Sequence, residues 1–311
     1  MFKIAQITTG VFVGLMSASL PALAQEANHP QYRSETALRK VLELASKQRT
    51  AQSSGASEVL WRAGMETGDL SEWSRDGGGN AYTYLNDAPD SSGKVLNQAS
   101  RYYAHSGEWS ARWSIPTSPA DYPELPKASL WRWTEPSNFK ELYYSVWYFI
   151  PQRYEILTHP CCGWLNLFQF HALNASERVA NGVVLFVNTR KSTGGMYFRL
   201  SINPRFLPDK NEFRSPIDLP IGRWFNVEVR FRCAAHHRGA VQVWQDGVQI
   251  FHLENVTTGL PGKSTCHWGI NDYGQYILPS PVVIYVDDAA ISRNRIGPPL
   301  APSAAIQRHA P

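Results

Sequence analysis

The sequence lacks runs of lysine or arginine, although its formal net charge is +4 at pH 7. Nucleic-acid-binding tails are usually blocks of such residues, so we expect no nucleic-acid partner. Charged residues make up only 18% of the chain, and beyond the N-terminal segment no apolar run is long enough to cross a bilayer. The weak positive charge is compatible with an acidic ligand and does not require one.

The motifs of several enzyme classes are also absent. The sequence has no Cys-x-x-Cys pair and no zinc-type ligand spacing. It lacks the closely spaced glutamates around an aspartate that hydrolases of the laminarinase type use as acid and nucleophile. It also lacks the Gly-x-Ser-x-Gly elbow of many serine hydrolases. These absences favour a chemistry that needs neither a metal nor paired catalytic carboxylates.

Residues 1–24 have the organisation of a signal peptide. Lys3 supplies the positive charge, residues 4–20 are apolar or small, and Ala22-Leu23-Ala24 matches a cleavage site before Gln25. We therefore expect a secreted or periplasmic protein, with no membrane span in the mature chain. A retained membrane anchor is the alternative, but the apolar run is interrupted by polar residues and is short for a span.

Export would make the four cysteines candidates for disulfides. Cys233 ends one strand-like run and Cys266 lies in another, so we expect a bridge between neighbouring strands. Cys161 and Cys162 are adjacent, and a vicinal bridge is strained. These two are either free thiols or partners of the other two, and the sequence does not choose.

The rest of the chain predicts a β-sandwich behind a short helix. Residues 31–52 have a helical stripe, so residues 25–57 form a helical prefix and linker. Between residues 58 and 295, short strand-like runs alternate with Gly, Pro and Asn clusters, which is typical of one antiparallel domain. The Pro- and Ala-rich residues 296–311 are expected to form a disordered tail. The predicted strands are Val59–Ala63, Ser110–Ile115, Ser129–Glu135, Leu142–Ile150, Leu165–Ala172, Val183–Thr189, Met196–Ile202, Phe225–Cys233, Val241–Gln245, Val248–Leu253, His267–Asn271 and Val282–Ser292, with a tight turn at Asp246-Gly247.

The run from Gly163 to Asn174 predicts a central strand that carries an amide and an imidazole. Successive side chains of a strand point to opposite faces. One face then carries Leu165, Leu167, Gln169 and His171, and the other carries Trp164, Phe168 and Phe170. Polar side chains at the end of so hydrophobic a strand suggest that this face lines a groove. The alternative is that His171 is a histidine at a sheet edge whose hydrogen bonds are satisfied within the protein.

Two further strands offer polar faces. Asn188 and Arg190 share a face of the run from Val183, and Tyr197 and Arg199 share a face of the run from Met196. These four side chains are candidates for binding an acidic sugar chain. A solvent-facing sheet is the alternative.

Acidic residues occur at both ends of the predicted domain. Glu66 lies in a glycine-containing turn after the first strand, and Asp287 and Asp288 lie in the last strand. First and last strands of a sandwich often pair, so Glu66 and Asp287 are candidates for holding a calcium ion through oxygen ligands. Such an ion would be structural, because no nucleophile or base accompanies it. Solvated turn carboxylates are the alternative.

Several segments resemble the heparin lyase I-like polysaccharide lyases. They are Met65–Trp73, Gly107–Arg112, Leu142–Pro151, Phe225–Phe231 and Val243–Gly247. The resemblance covers about residues 58–293 and implies a concanavalin A-like β-jelly roll.

The wider group of jelly-roll lyases, alginate lyases included, carries a Gln-x-His strand motif and a late Gly-x-Tyr motif. Gln169-Phe170-His171 is similar to the first motif. The run that begins at Gly269 resembles the second, with Tyr273 one residue later than in the alginate-lyase form. Arg132 is a loose counterpart of an arginine on a third family strand. The resemblance thus implies that Gln169, His171 and Tyr273 are catalytic and that Arg132 binds substrate.

A lyase of this kind would cleave an acidic polysaccharide, a uronate polymer, by β-elimination. Gln169 would neutralise the substrate carboxylate so that the C5 proton becomes acidic. His171 and Tyr273 would remove that proton and protonate the leaving O4, in either order. These steps need no cofactor. The competing class is a lectin-like jelly roll, in which the same side chains only contact sugar.

Overall fold

The computed structural model describes residues 59–73, 96–118, 127–132, 141–158, 163–208 and 211–298. The predicted signal peptide, the helical prefix and linker, Cys161, Cys162 and most of the predicted tail lie outside the described residues. The described residues belong to one compact unit, Ser57–Pro311. Within these ranges no helix is long and apolar enough to cross a bilayer.

Strands dominate the described residues, and the helical element found among them is a 3₁₀ turn at Ser71–Trp73. Runs of valine, isoleucine and aromatic residues, which fit a pleated surface, form the longer strands. The strands are β1 (Val59–Ala63), β2 (Leu96–Ser100), β3 (Ser110–Ile115), β4 (Lys127–Arg132), β5 (Glu141–Phe149), β6 (Glu155–Ile156), β7 (Trp164–Leu173), β8 (Arg178–Thr189), β9 (Met196–Ile202), β10 (Glu212–Arg214), β11 (Trp224–Arg232), β12 (Gly239–Gln245), β13 (Val248–Val256), β14 (Thr265–Gln275), β15 (Ile277–Leu278) and β16 (Val282–Ser292).

The strands form two large antiparallel sheets and one small sheet. The eight-stranded sheet has the order β13-β12-β11-β5-β16-β3-β2, and β1 also pairs with β16. The six-stranded sheet has the order β10-β9-β8-β7-β14-β4, and β15 pairs with β6. The two large sheets enclose one apolar core, as in other sandwiches. This architecture confirms the predicted all-β jelly roll.

The predicted strand boundaries agree best where the hydrophobic pattern is strong. The bounds of β1, β3, β9 and β16 are those predicted, and the Asp246-Gly247 turn is confirmed by φ angles of 49° and 79°. The short strands β2, β6, β10 and β15 are not evident from the sequence. The run Leu96–Ser100, for example, has little intrinsic β propensity and is held in the sheet by its neighbour β3.

Aromatic side chains connect the two large sheets. Phe170 of β7 lies flat on Phe231 of β11, with ring centroids 3.7 Å apart. Trp268 of β14 packs against Tyr144 of β5, with ring centroids 5.2 Å apart, and against Phe168 of its own sheet at 5.5 Å. Each fully buried side chain of this size stabilises the fold by about 1.5 to 3 kcal/mol. These contacts fix the inner faces of β7 and β14 to the core.

A disulfide joins Cys233 to Cys266, as predicted. The prediction that it connects neighbouring strands is wrong, because Cys233 follows β11 of the eight-stranded sheet and Cys266 lies in β14 of the six-stranded sheet. The bridge therefore connects the two layers of the sandwich. Its sequence separation is 33 residues, and closing a loop of that length stabilises a fold by roughly 3 to 4 kcal/mol through the unfolded chain.

Candidate active site

A β-bulge in β7 decides which of its side chains face the core. The register of β7 against β8 shifts between Asn166 and Phe168, and its register against β14 shifts at the same place. The predicted alternation, with Leu165 and Leu167 on the face of Gln169, is therefore wrong, because a bulge inserts an extra residue and reverses the faces. The core side of β7 is formed by Leu165, Leu167, Phe168, Phe170 and Ala172.

Three amides and one hydroxyl form a buried cluster on the other side of the six-stranded sheet, which we call the outer face. Asn166 Nδ2 donates to Gln169 Oε1 at 2.8 Å, and Gln169 Nε2 donates to Asn271 Oδ1 at 3.3 Å. Ser129 Oγ donates to the same Asn271 oxygen at 2.8 Å. All four residues are at most 3% exposed. This amide cluster, Asn166, Gln169, Asn271 and Ser129, holds Gln169 in one orientation.

His171 lies at one end of the amide cluster. Trp131 packs against its ring at a centroid distance of 4.5 Å, and Arg178 Nη2 donates to His171 Nδ1 at 2.9 Å. His267 of β14 is directly opposite His171. Burial, reinforced by the charge of Arg178, lowers the pKa of His267 to about 4. His267 is therefore neutral at pH 7.

Tyr273 lies at the other end of the amide cluster. It is opposite Asn166 of β7 and Lys127 of β4. The rings of Trp164 and Tyr273 are perpendicular, with centroids 4.4 Å apart, and Lys127 Nζ is 5.7 Å from the centre of the Tyr273 ring. Burial raises the pKa of the Tyr273 phenol. Gln169 lies between Tyr273 and His171, whose backbones are about 16 to 20 Å apart by strand geometry.

The structure does not bring Arg132 to the outer face. Arg132 is opposite Trp268, whose side chain lies in the core. Its guanidinium stacks over Trp61 at 4.3 Å, and the residue is 5% exposed. Directly opposite residues share a face of a sheet, so Arg132 points away from Gln169 and His171. Its predicted contact with substrate has no support in this geometry.

The four candidates near β8 and β9 bind one another and nearby acids. Arg199 Nε donates to Asn188 Oδ1 at 2.9 Å, and Arg199 also pairs with Glu212 of β10. Arg190 stacks on Tyr197 at 4.3 Å and pairs with Asp218. Both arginines are therefore partly neutralised by carboxylates of the protein. Arg199 lies two strands away from the amide cluster, toward the β10 edge.

Glu66 and Asp287 converge on one loop, residues 105–109. Glu66 accepts from two backbone amides of the loop at 3.0 and 3.1 Å, and Asp287 accepts from two others at 2.8 and 3.3 Å. Burial, reinforced by the charge of Asp288, raises the pKa of Asp287 to about 8. Among the described residues, no set of three or more His, Cys, Asp or Glu side chains is placed to hold a metal ion.

The outer-face residues that escaped the sequence analysis as site residues include Lys127, Ser129, Asn166, Arg178, His267 and Asn271. His267 and Asn271 could have been found, because they alternate with Tyr273 along β14. Asn166 could not, since its face depends on the bulge. Arg178 reaches His171 only because the chain turns tightly between β7 and β8, where Asn174 N donates to the carbonyl of Glu177 at 2.9 Å.

The fold is similar to those of solved carbohydrate-active enzymes. An endo-β-1,4-glucuronan lyase from the fungus Trichoderma reesei is 12% identical with a TM-score of 0.53, over 76% of this chain and 96% of that one. A PL-14 alginate lyase from Aplysia kurodai is 12% identical with a TM-score of 0.48, over 76% and 99%. The catalytic domain of a glycoside hydrolase family 131 protein from Coprinopsis cinerea is 11% identical with a TM-score of 0.47, over 77% and 96%. At such identities the likeness shows the fold alone.

Family membership comes from the sequence. No curated protein sequence matches this chain, but the profile of the family described as Polysaccharide lyase matches residues 65–289. The matched segment includes Gln169, His171 and Tyr273. The match is to the family as a whole, so the closer resemblance to heparin lyase I stays a prediction. Because the matched segment is more than half of the 311 residues, this protein belongs to the polysaccharide lyase family and is a polysaccharide lyase.

Proposed function

We propose that this lyase cleaves a uronate-containing polysaccharide by β-elimination. The observation that carries the proposal is the amide cluster, which is buried on the outer face between His171 and Tyr273. Glucuronan, named for the solved structure with a TM-score of 0.53, is a polymer of this class. That likeness concerns the fold, so the choice of substrate rests on the side chains.

The first chemical requirement is to make the C5 proton acidic. The carboxylate at C5 must be neutralised so that the negative charge developing on it in the transition state is stabilised. Gln169 supplies an amide group whose orientation is fixed by Asn166 and Asn271. A donor that is already oriented needs no reorganisation during the reaction. We assign the carboxylate to Gln169 for this reason.

The second requirement is proton transfer. The base takes the C5 proton, the electrons of the C5–H bond form a C4=C5 double bond, the C4–O4 bond breaks, and O4 receives a proton. His171 and Tyr273 are the candidates for these roles, on either side of Gln169. Their backbones are about 16 to 20 Å apart, so both act on one glycosidic bond only if each side chain leans toward Gln169.

Two tryptophans beside the candidate site suggest a second candidate function. Trp164 and Trp131 lie next to Tyr273 and His171 respectively, and aromatic rings near polar groups suit carbohydrate binding. A lectin-like protein would use the same surface without cleavage. This alternative predicts binding of the polymer and no unsaturated product.

Incubation with a panel of uronate polymers tests the proposed function. We expect ultraviolet absorbance to grow with at least one of glucuronan, alginate and heparin, because β-elimination leaves a C4=C5 double bond conjugated to the carboxylate. Retention on an immobilised polymer without any absorbance growth would select the lectin. Release of saturated ends would select a hydrolase and contradict the proposal.

Conservative variants of the three residues separate binding from chemistry. Tyr273→Phe removes only the hydroxyl and should lower kcat by roughly 10²- to 10⁴-fold with little change in KM. His171→Ala and Gln169→Ala should also lower kcat, since both act in the transition state. Tyr102→Phe is a matched control, because Tyr102 is 56% exposed and follows β2 of the other sheet. Unchanged turnover in Tyr273→Phe would remove Tyr273 from the site.

We also propose a structural calcium ion held by Glu66 and Asp287. Asp287 and Asp288 are close enough for one charge to raise the pKa of the other, and a cation would relieve that repulsion. Calcium also accepts backbone carbonyl oxygens, so it does not require three acidic side chains. Hydrogen bonds from loop 105–109 already occupy oxygens of both carboxylates, which limits the fit to the oxygens that remain.

Chelation tests the calcium proposal. Because an ion that binds only the folded state stabilises it by mass action, a chelator should lower the Tm of protein purified without added calcium. Added calcium should restore the Tm, whereas Glu66→Gln should have a lower Tm that calcium does not restore. A melting curve that the chelator leaves unmoved contradicts the proposal and assigns the two carboxylates to the loop amides.

We propose that the chain is exported. The N-terminal sequence supports this proposal, and the disulfide between Cys233 and Cys266 suits an oxidising compartment. Mass spectrometry of protein recovered from the periplasm or the medium should show an N-terminus at Gln25. Protein that remains in the cytoplasm with residues 1–24 attached would contradict it.

A further inference from the structure

Asp272 carries a carboxyl group into the core directly beneath the candidate active site. It lies in β14 between Asn271 of the amide cluster and Tyr273, which both face the other side of the sheet. Its partner on β4 is Ala128, a member of the apolar core, and directly opposite residues share a face of a sheet. Asp272 is 0% exposed. Its carboxyl group therefore points into the sandwich, away from the residues of the site.

The surroundings of this carboxyl group favour its protonated form. In the described part of the chain, neither of its oxygens has a hydrogen-bond partner. Tyr154 lies close enough that, after burial, the charge of Asp272 contributes to raising the pKa of its phenol. The Tyr154 hydroxyl is nevertheless committed to Val283, since it donates to the carbonyl at 3.2 Å and accepts from the amide at 2.8 Å. Burial raises the pKa of Asp272 well above its ordinary value, because an ionised carboxylate without donors is costly in an apolar medium.

The neighbouring strands of the same sheet offer no compensating charge on the core side. Lys127 of β4 is opposite Tyr273, on the outer face, and Arg132 lies at the far end of β4 opposite Trp268. On β7, the residues nearest to Asp272 on the core side are leucines, Leu165 and Leu167.

The strands of the other sheet that pack on β14 are β3 and β16, and they present apolar side chains to it. These side chains are Ala111, Trp113 and Ile115 of β3 and Val282, Ile284 and Val286 of β16. The titratable residues of the two strands lie on the far face of that sheet, where Arg112 is paired with Tyr285 and where Asp287 and Asp288 bind loop 105–109. Ionisation of Asp272 would thus place a charge where the described residues provide neither a counter-ion nor a donor.

The backbone pairing of β14 is interrupted at Asp272. The register of β14 against β7 shifts between Ile270 and Tyr273, so that Asn271 and Asp272 both lie opposite Leu167. Such a bulge disrupts the ladder of hydrogen bonds locally. On its other side, β14 pairs with β4, which is the edge strand of the sheet. Outward movement of Asp272 would carry its two neighbours with it.

We propose that Asp272 is held as a neutral carboxylic acid and that its ionisation releases the bulged part of β14, which displaces Asn271 and Tyr273 and inactivates the site at alkaline pH. Asp272 is then a positioning residue, because it lies beneath the site and does not touch the substrate. The proton leaves only as this part of the strand opens to water, since the closed core does not tolerate the charge. The effect on turnover rests on the proposed function, whereas the effect on the fold does not.

Denaturant unfolding at several pH values tests the effect on the fold. The folded protein keeps a proton that an unfolded aspartate, with a pKa of about 3.9, releases. The stability that this proton contributes is complete below that pKa and is lost as the pH rises toward the raised pKa of the folded state. Between about pH 5 and pH 7, the folded-to-unfolded ratio of the wild type should fall about tenfold per pH unit relative to that of Asp272→Asn. Parallel pH profiles of the two proteins would overturn the proposal.

Two further variants control this measurement. Asp272→Val cannot ionise either and suits a buried strand, so its profile should match that of Asp272→Asn even if the asparagine is poorly accommodated. Asp69→Asn is the matched control, because Asp69 is exposed and hydrogen bonds from Ser71 lower its pKa. It should keep the slope of the wild type in this pH range. The same loss of slope in Asp69→Asn would contradict the assignment to Asp272.

Carbon-13 nuclear magnetic resonance of protein labelled at the aspartate carboxyl groups reads the protonation state directly. The signal of Asp272 is the one that Asp272→Asn removes, and at pH 7 we expect it at the chemical shift of a protonated acid. Asp287, whose pKa is about 8, should give a separate signal that the variant keeps. A signal of Asp272 at the shift of an ionised carboxylate at pH 7 would overturn the proposal.

The pH dependence of kcat tests the effect on the site. On a uronate polymer that the enzyme cleaves, kcat of the wild type should fall at alkaline pH, and in Asp272→Asn this fall should move to higher pH or disappear. A purely structural role would lower kcat of the variant equally at every pH, and ionisation of Tyr273 would give a fall that both proteins share. Either result would overturn the proposal. A wild type without any lyase product would refute the proposed function instead, while the unfolding profiles would keep their meaning.

Discussion

The antiparallel pairing of β7 with β14 serves the core and the candidate site at once. On the core side, Phe170 stacks on Phe231 of the other sheet, and Trp268 packs against Phe168. On the outer face, the same two strands carry Gln169, His171, Asn271 and Tyr273. A register slip of one residue would exchange the two faces of a strand. The aromatic contacts of the core therefore also determine where the polar groups stand.

The bulge in β7 gives the buried amides of the cluster their hydrogen-bond partners. A buried amide without a partner costs about 1 to 3 kcal/mol, and alternation without the bulge would put Asn166 and Gln169 on opposite faces. The bulge brings them onto one face, where they hydrogen-bond to each other and to Asn271. Gly269 has a related role, since a Cβ atom there would lie 2.8 Å from the ring of Trp131. The absence of that atom lets Trp131 lie against β14, next to His171.

The sequence predicts those parts of the site that depend on local pattern. The strand with Gln169 and His171 is evident from its hydrophobic run, and Tyr273 is evident from a family motif. The orientation of Leu165 and Leu167 is not evident from the sequence, because the bulge arises from the pairing of β7 with β8 and β14. The spacing of a motif likewise does not predict which face Arg132 occupies. Arg132 faces the core side because it is paired directly opposite Trp268.

Several arginines of the described residues are paired with carboxylates on neighbouring strands. Arg230 and Arg232 pair with Glu141 and Glu254 on the eight-stranded sheet, and Arg199 pairs with Glu212. Such pairs join strands and present little net charge to a polyanion. Arg178 also donates to His171 Nδ1, beside the amide cluster. A positive charge at that position would attract an acidic polymer toward Gln169, and together with burial it lowers the pKa of His267 to about 4.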